Sequence, residues 1–141
     1  MAAEQTKKTH TLLRSLLLIL LAVAVFLLAR FLMGTYTMMH LSATDIDHVE
    51  LVVSPNGMSA TSTGDDTAAL VNLLRKVSVY YAQDAAVAGQ STALTIFKHD
   101  GSQMQVVLCG DHLTMDGKGY KCDAEASQKV LDWANELLAK Q

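Results

Sequence analysis

A long apolar segment dominates the amino-terminal part of the chain. Its centre, residues 16–29, holds fourteen residues without a polar side chain, and the apolar character extends over residues 12–33. A helix over residues 12–33 is about 33 Å long, enough to cross a hydrocarbon core of about 30 Å. Arg14 and Arg30 lie near its ends, where an arginine side chain reaches the headgroups at low cost. The pattern therefore predicts one transmembrane helix whose partner is the lipid bilayer.

A secretory signal peptide is the alternative, because its apolar core also follows basic residues. Lys7, Lys8 and Arg14 precede the apolar segment here. A signal-peptidase site needs small residues at both recognition positions, and the stretches after the segment lack this pattern. We therefore expect an uncleaved anchor in the cell membrane, with secretion after cleavage as the alternative.

Basic residues flank the apolar segment unevenly. Three precede it, whereas after Arg30 the next one is Arg75. The positive-inside rule then places the amino terminus in the cytoplasm. This divides the chain into a cytoplasmic tail (1–11), the transmembrane helix (12–33), a juxtamembrane stalk (34–44) and an extracytoplasmic domain (45–141).

Beyond residue 45, apolar residues alternate with polar ones in short runs, which is the period of half-buried strands. Two longer stretches repeat apolar residues at helical spacing instead, after the capping residues Thr63 and Asp123. The order ββαβββββα predicts an α+β domain of two layers, an antiparallel sheet of about six or seven short strands with two helices on one face. The predicted strands cover residues 48–54, 58–62, 79–82, 92–98, 103–109, 112–115 and 120–122, with a loop over residues 82–91.

The turn between the strands at 92–98 and 103–109 decides which side chains share a face. A two-residue Asp100-Gly101 turn would mix apolar and polar positions on both faces. A three-residue loop with Gly101 in the left-handed conformation separates them, so we predict that loop. The same register predicts these cross-strand pairs: Ile96 with Met104, Leu94 with Val106, Leu108 with Leu113, Val106 with Met115 and, after a turn over residues 116–119, Met115 with Tyr120.

The register also assigns side chains to the sheet face opposite the helices. Phe97 and Val107 are its apolar members. Apolar side chains on an open face favour a partner site, although a solvated antiparallel face has a similar composition. The predicted partner-binding face consists of Thr95, Phe97, Gln105 and Val107, with Cys109 at its end.

The charge of residues 34–141 narrows the class of partner. This region carries seven Lys or Arg against thirteen Asp or Glu, a formal charge of −6. Nucleic acid and anionic lipid headgroups are poor partners for such a surface. We expect no nucleic-acid binding, and a basic or neutral extracytoplasmic protein or peptide as the partner.

The two cysteines are the remaining candidates for chemistry. An extracytoplasmic location permits a disulfide between Cys109 and Cys122, whereas the predicted register puts them on opposite faces, so both states stay open. Cys109 and His112 have the spacing of two metal ligands, but a structural zinc site needs four, and no second pair follows at ligand spacing. We therefore expect no metal site.

Neither a nucleophile elbow nor a phosphate-binding loop is present in the sequence. We expect no catalytic or cofactor-binding residues, and no cofactor. Together with the anchor, this favours a membrane-anchored binding or accessory module for an envelope or membrane partner. The alternative is a small extracytoplasmic hydrolase or metal-binding protein.

Overall fold

The computed structural model describes residues 1–84 and 89–141, which form two compact units, Met1–Met33 and Gly34–Gln141. Part of the loop expected over residues 82–91 therefore lies outside the described residues.

The first unit is a single helix, α1, which covers Ala2–Met33. Its large apolar side chains are exposed over residues 12–32. Near its start, the Ser15 hydroxyl donates to the Thr11 carbonyl at 3.0 Å, so this polar group is satisfied within the helix. Among the described residues, α1 is the one helix long and apolar enough to cross a membrane, a test that a signal sequence also meets.

The second unit combines an antiparallel sheet with two helices, so the α+β class is confirmed. In the described residues the sheet has seven strands in the spatial order β2-β1-β4-β5-β6-β7-β3, which makes β2 and β3 its edges. The elements along the chain are a short 3₁₀ turn (Ala43–Asp45), β1 (Ile46–Ser54), β2 (Met58–Ser62), α2 (Gly64–Leu74), β3 (Val79–Ala82), β4 (Ser91–Lys98), β5 (Gln103–Cys109), β6 (His112–Met115), β7 (Lys118–Cys122) and α3 (Ala124–Lys140).

Both helices pack on the same face of the sheet. Leu94 and Ile96 of β4 are fully buried there, and Val130 of α3 and Leu70 of α2 belong to the same core. The burial follows from the period of two along each strand, because every second side chain points to the helices. The opposite face of the sheet carries exposed and half-buried side chains.

The predicted β4–β5 loop is confirmed. Ile96 lies opposite Met104, and the Lys98 N–H donates to the Ser102 carbonyl at 2.9 Å, which closes a three-residue loop. Gly101 has a φ of +86°, the left-handed conformation that glycine adopts without a steric cost.

The predicted turn over residues 116–119 is wrong, and so is the pairing of Met115 with Tyr120. Met115 instead lies opposite Lys118, so only Asp116 and Gly117 form the turn. Both have positive φ, +48° and +84°, as in a type I′ turn, whose twist matches that of the flanking strands.

A side-chain hydrogen bond explains why Asp116 tolerates the left-handed conformation. Its carboxylate accepts the Gln105 N–H at 2.9 Å, and its own N–H donates to the Gln105 carbonyl at 3.0 Å. The turn is thereby attached to β5, which shortens it to two residues and extends β7 back to Lys118.

The segment expected as a juxtamembrane stalk, residues 34–44, is part of the folded unit. Met38 is 0% exposed and Leu41 is 3% exposed, and both belong to the hydrophobic core. Thr35 exchanges two backbone hydrogen bonds with Val79 of the edge strand β3, at 2.6 and 2.7 Å. The domain therefore begins at Gly34 and not at residue 45.

The two helix caps differ from each other. Asp123 caps α3 as predicted, because its carboxylate accepts the Glu125 N–H at 3.0 Å. Thr63 precedes α2, but its side chain makes no capping hydrogen bond. Gly64, with a φ of +59°, lies between Thr63 and the regular part of the helix and changes the direction of the chain at that point.

Candidate functional site

A cleft of about 400 Å³ lies where the turn between β5 and β6 meets the first turns of α3. Cys109, Asp111 and His112 line it from the turn, and Ser127 and Leu131 line it from the helix. A cysteine, an aspartate and a histidine therefore line the same cavity from the turn.

The β5–β6 turn brings Cys109 and His112 together. They lie directly opposite each other on neighbouring antiparallel strands, with only Gly110 and Asp111 between them. Gly110 has a φ of +57°, which suits the first central position of a type II′ turn. Directly opposed residues project to the same face, so both side chains lie on the face of the sheet away from the helices.

Asp111 contacts the side chains of His112 and Lys121. Its Oδ1 lies 2.7 Å from Nδ1 of His112, and its Oδ2 accepts a hydrogen bond from Nζ of Lys121. Lys121 reaches Asp111 because β6 and β7 pair His112 with Lys121. The hydrogen bond from Lys121 is the largest cause that lowers the pKa of Asp111, and the same bond raises the pKa of Lys121.

We expect Asp111→Asn to lower the free energy of unfolding slightly at neutral pH, because the pair with Lys121 is lost. The folded pKa of Asp111 is below its unfolded value. The ionised carboxylate therefore stabilises the domain to its full extent at any pH above the ordinary carboxyl pKa. This stabilisation is lost as the pH falls through the folded pKa. Urea unfolding of the two proteins from pH 7 to pH 2 measures this difference. The control is Glu136→Gln, which removes an exposed carboxylate on α3. If the difference in unfolding free energy between Asp111→Asn and the parent did not shrink at low pH, the stabilising role of the Asp111 carboxylate would be contradicted.

The residues of the predicted partner-binding face lie on the side of the sheet opposite α2 and α3. Thr95 is opposite Gln105, and Thr95, Phe97 and Val107 are half-buried, whereas Gln105 is exposed. Phe97 is also covered by a neighbour, because the His48 ring stacks on it at 4.5 Å between centroids with an interplanar angle of 11°. The His48 ring thus covers one face of the Phe97 ring.

One exposed residue of this face was missed by the sequence analysis. Val52 of β1 is 41% exposed and lies opposite Ala93, which in turn lies opposite Val107. We call Val52, Ala93 and Val107 the apolar strip. The sequence pattern could have identified Val52, because it lies between the core residues Leu51 and Val53 on one strand and must therefore face away from the helices.

The two cysteines lie on opposite faces of the sheet, on β5 and β7, with β6 between them. Cys122 faces the core and is 2% exposed, whereas Cys109 is half-buried beside the cleft. Burial is the main cause that raises the pKa of the Cys122 thiol to about 11. This separation opposes the disulfide that the sequence left open.

Within residues 1–84 and 89–141, no group of three or more His, Cys, Asp or Glu side chains is arranged to hold a metal ion.

Similarity to other proteins does not assign a function to this site. No protein-family model, curated protein or solved structure matches the chain. The function is therefore inferred from the geometry of the domain itself.

Lys121 was missed because the predicted register of β7 was wrong. A pairing of Met115 with Tyr120 would have placed His112 opposite Asp123, whereas the observed pairing places it opposite Lys121. Asp111 and His112 were visible as neighbours in the sequence, but nothing local indicated the cleft between them and α3.

Proposed function

We propose that the chain is a single-pass membrane protein whose residues 34–141 form an extracytoplasmic binding or accessory module. In this proposal α1 crosses the bilayer through residues 12–33, with the amino terminus in the cytoplasm. The exposed apolar surface of α1 and the basic residues before it support this arrangement. A secreted domain released by signal cleavage is the alternative.

The observation that best supports the binding function is the apolar strip on the sheet face opposite α2 and α3. The strip crosses three adjacent strands, and in the described residues of the domain both helices pack on the other face. An antiparallel sheet tolerates water on one face, but a continuous strip of apolar side chains gains free energy when a partner covers it.

Charge supports a basic segment of an extracytoplasmic protein or peptide as the occupant of this face. Glu50 is exposed beside the apolar strip, opposite Thr95, and the domain as a whole has a formal charge of −6. A basic partner would be attracted over a distance and would then bury the strip. The same charge disfavours nucleic acid.

A photo-crosslinking side chain placed at Val52 in the full chain, expressed in its membrane, tests this function. We expect a crosslink to a protein segment rich in Lys or Arg, and at least a tenfold loss of crosslinking with Val107→Lys. The control is Glu136→Lys, which adds positive charge on exposed α3 and leaves the sheet face unchanged. Crosslinks that persist with Val107→Lys, or that map to an acidic segment, would contradict the proposal.

A further inference from the structure

We propose that the domain rests on the bilayer surface through Tyr36, Met39 and Tyr81, with zwitterionic lipid headgroups as the partner. We call these three residues the entry patch, because they lie where the chain enters the domain. This inference rests on the membrane-spanning arrangement proposed above and adds a second contact with lipid, made by the domain itself.

The entry patch consists of exposed side chains with large apolar surfaces, which are between 44% and 60% exposed. Tyr36 and Met39 belong to one turn, because the Met39 N–H donates to the Tyr36 carbonyl at 3.3 Å. Tyr81 lies on β3, two residues after Val79, which is the partner of Thr35. All three residues therefore lie near the Thr35–Val79 bridge, at the β3 edge of the sheet.

The start of the domain is attached firmly to this edge. Besides the two backbone hydrogen bonds between Thr35 and Val79, the Thr35 hydroxyl donates to the Val79 carbonyl at 3.2 Å. Gly34 also packs closely on β3. A Cβ atom at this position would lie 3.0 Å from the Val79 carbonyl oxygen and 3.1 Å from the Tyr80 ring. The chain is thus held against the edge strand from Gly34 onward.

The short distance along the chain between the proposed span and this bridge keeps β3 close to the bilayer. Thr35 is two residues after residue 33, the last of the proposed span, and two residues reach at most about 7 Å. The headgroup layer is about 5–8 Å thick on each side of the hydrocarbon core. With the proposed span, Thr35 and its partner Val79 therefore lie at the level of the headgroups.

The two segments that meet at the bridge carry no formal charge. Residues 34–44 and 77–83 contain no Lys, Arg, Asp or Glu, although residues 34–141 hold seven basic and thirteen acidic residues. A surface against lipid is depleted of charge, because a charged group loses its water near hydrocarbon. Tyrosine suits the same interface, since its ring is apolar and its hydroxyl stays hydrated. The composition thus favours neutral headgroups over a charged protein segment at this edge.

The short tether makes a modest affinity sufficient. A group that is already held beside its binding surface experiences a high effective concentration of that surface. Three side chains are then enough to fix the position of the domain, whereas they would not recruit a free domain from solution. We therefore expect the entry patch to orient the domain on the bilayer, while α1 holds the chain in it.

Tryptophans introduced into the full chain measure this contact in phosphatidylcholine vesicles whose acyl chains are brominated near the headgroups. We expect quenching of Tyr36→Trp and Tyr81→Trp to be at least about twofold stronger than that of Met58→Trp, because only the first two lie at headgroup depth. Met58 is exposed on β2, the opposite edge of the sheet. Trp133 stays in every variant, and its quenching in the parent chain is subtracted.

Flotation of the same samples separates the two proposals. Equal quenching at the three positions, in a chain that floats with the vesicles, would overturn the lipid contact and leave the span intact. A parent chain that did not float would overturn the span and the contact together.

A flexible linker distinguishes the affinity of the entry patch from the effect of the short tether. About ten Gly and Ser residues inserted between residues 33 and 34 add about 17 Å to the mean reach of the tether. We expect Tyr81→Trp to keep at least about half of its quenching in this chain, because the patch itself binds the interface. Tyr36→Ser combined with Met39→Ser should remove most of what remains.

Met58→Ser in the same chain is the matched control, since it removes another exposed methionine and should leave the quenching unchanged. Loss of quenching on insertion of the linker alone would overturn the proposal, because the tether would then be the sole cause of proximity. Quenching that persists with both serine substitutions in the patch would overturn it as well.

Discussion

Replacement of Met38 by aspartate is expected to destabilise the domain by more than about 4 kcal/mol, a large part of the stability of a typical domain. Met38 is 0% exposed and belongs to the core. The change removes a large apolar side chain, worth about 2–5 kcal/mol, and also places a carboxylate where it has no water. Urea unfolding of the full chain in micelles, followed by Trp133 fluorescence, measures the effect.

The neighbouring methionine provides the control. Met39 is 60% exposed, so Met39→Asp should change the free energy of unfolding by no more than about 0.5 kcal/mol, as for other surface substitutions. Equal effects of the two variants would mean that residues 34–44 are a stalk outside the core and that the domain starts near residue 45.

The second large effect concerns α1. Leu21→Asp combined with Phe26→Asp should abolish stable insertion into the membrane. Each aspartate near the middle of a spanning helix costs about 3 kcal/mol and also replaces an apolar residue that contributes a few tenths. The two changes together therefore cost about 7 kcal/mol, nearly all of the about 4–8 kcal/mol that the fourteen apolar residues contribute. We expect the variant in the soluble fraction after alkaline extraction and the parent chain in the membrane pellet.

A matched control places the same two charges at the ends of the segment. Leu12→Asp combined with Leu32→Asp should remain in the membrane, because charged groups near the interface keep their water. Extraction of the control together with the central variant would contradict a span over residues 12–33. The intact mass of the parent chain also decides whether the helix is retained or removed as a signal peptide.

Local patterns of the sequence were sufficient to predict those elements that depend on residues close together in the chain. The apolar run over residues 16–29 predicts α1 because a helix of that composition needs no tertiary partner in lipid. The three-residue loop ending at Gly101 followed from the period of two in β4 and β5, since a shift by one residue would reverse every side chain. The Asp123 cap is also local, because donor and acceptor are two residues apart.

Features that depend on contacts between distant parts of the chain became visible only in the tertiary structure. Residues 34–44 have no period, so the burial of Met38 is visible only after the rest of the core is assembled. The short strands β6 and β7 are compatible with two registers, and the contact of Asp116 with Gln105 of β5 selects one. That choice brings Lys121 to Asp111.

The cleft also depends on residues that are distant in the sequence. Its walls come from the β5–β6 turn and from α3, which are separated in the sequence by β6 and β7. The sequence by itself therefore determined an apolar amino-terminal helix, the α+β class and the set of side chains on each face of β4 and β5. Only the packing of α3 against the sheet added the second wall of the cleft beside Cys109, Asp111 and His112, because that arrangement depends on contacts between residues far apart along the chain.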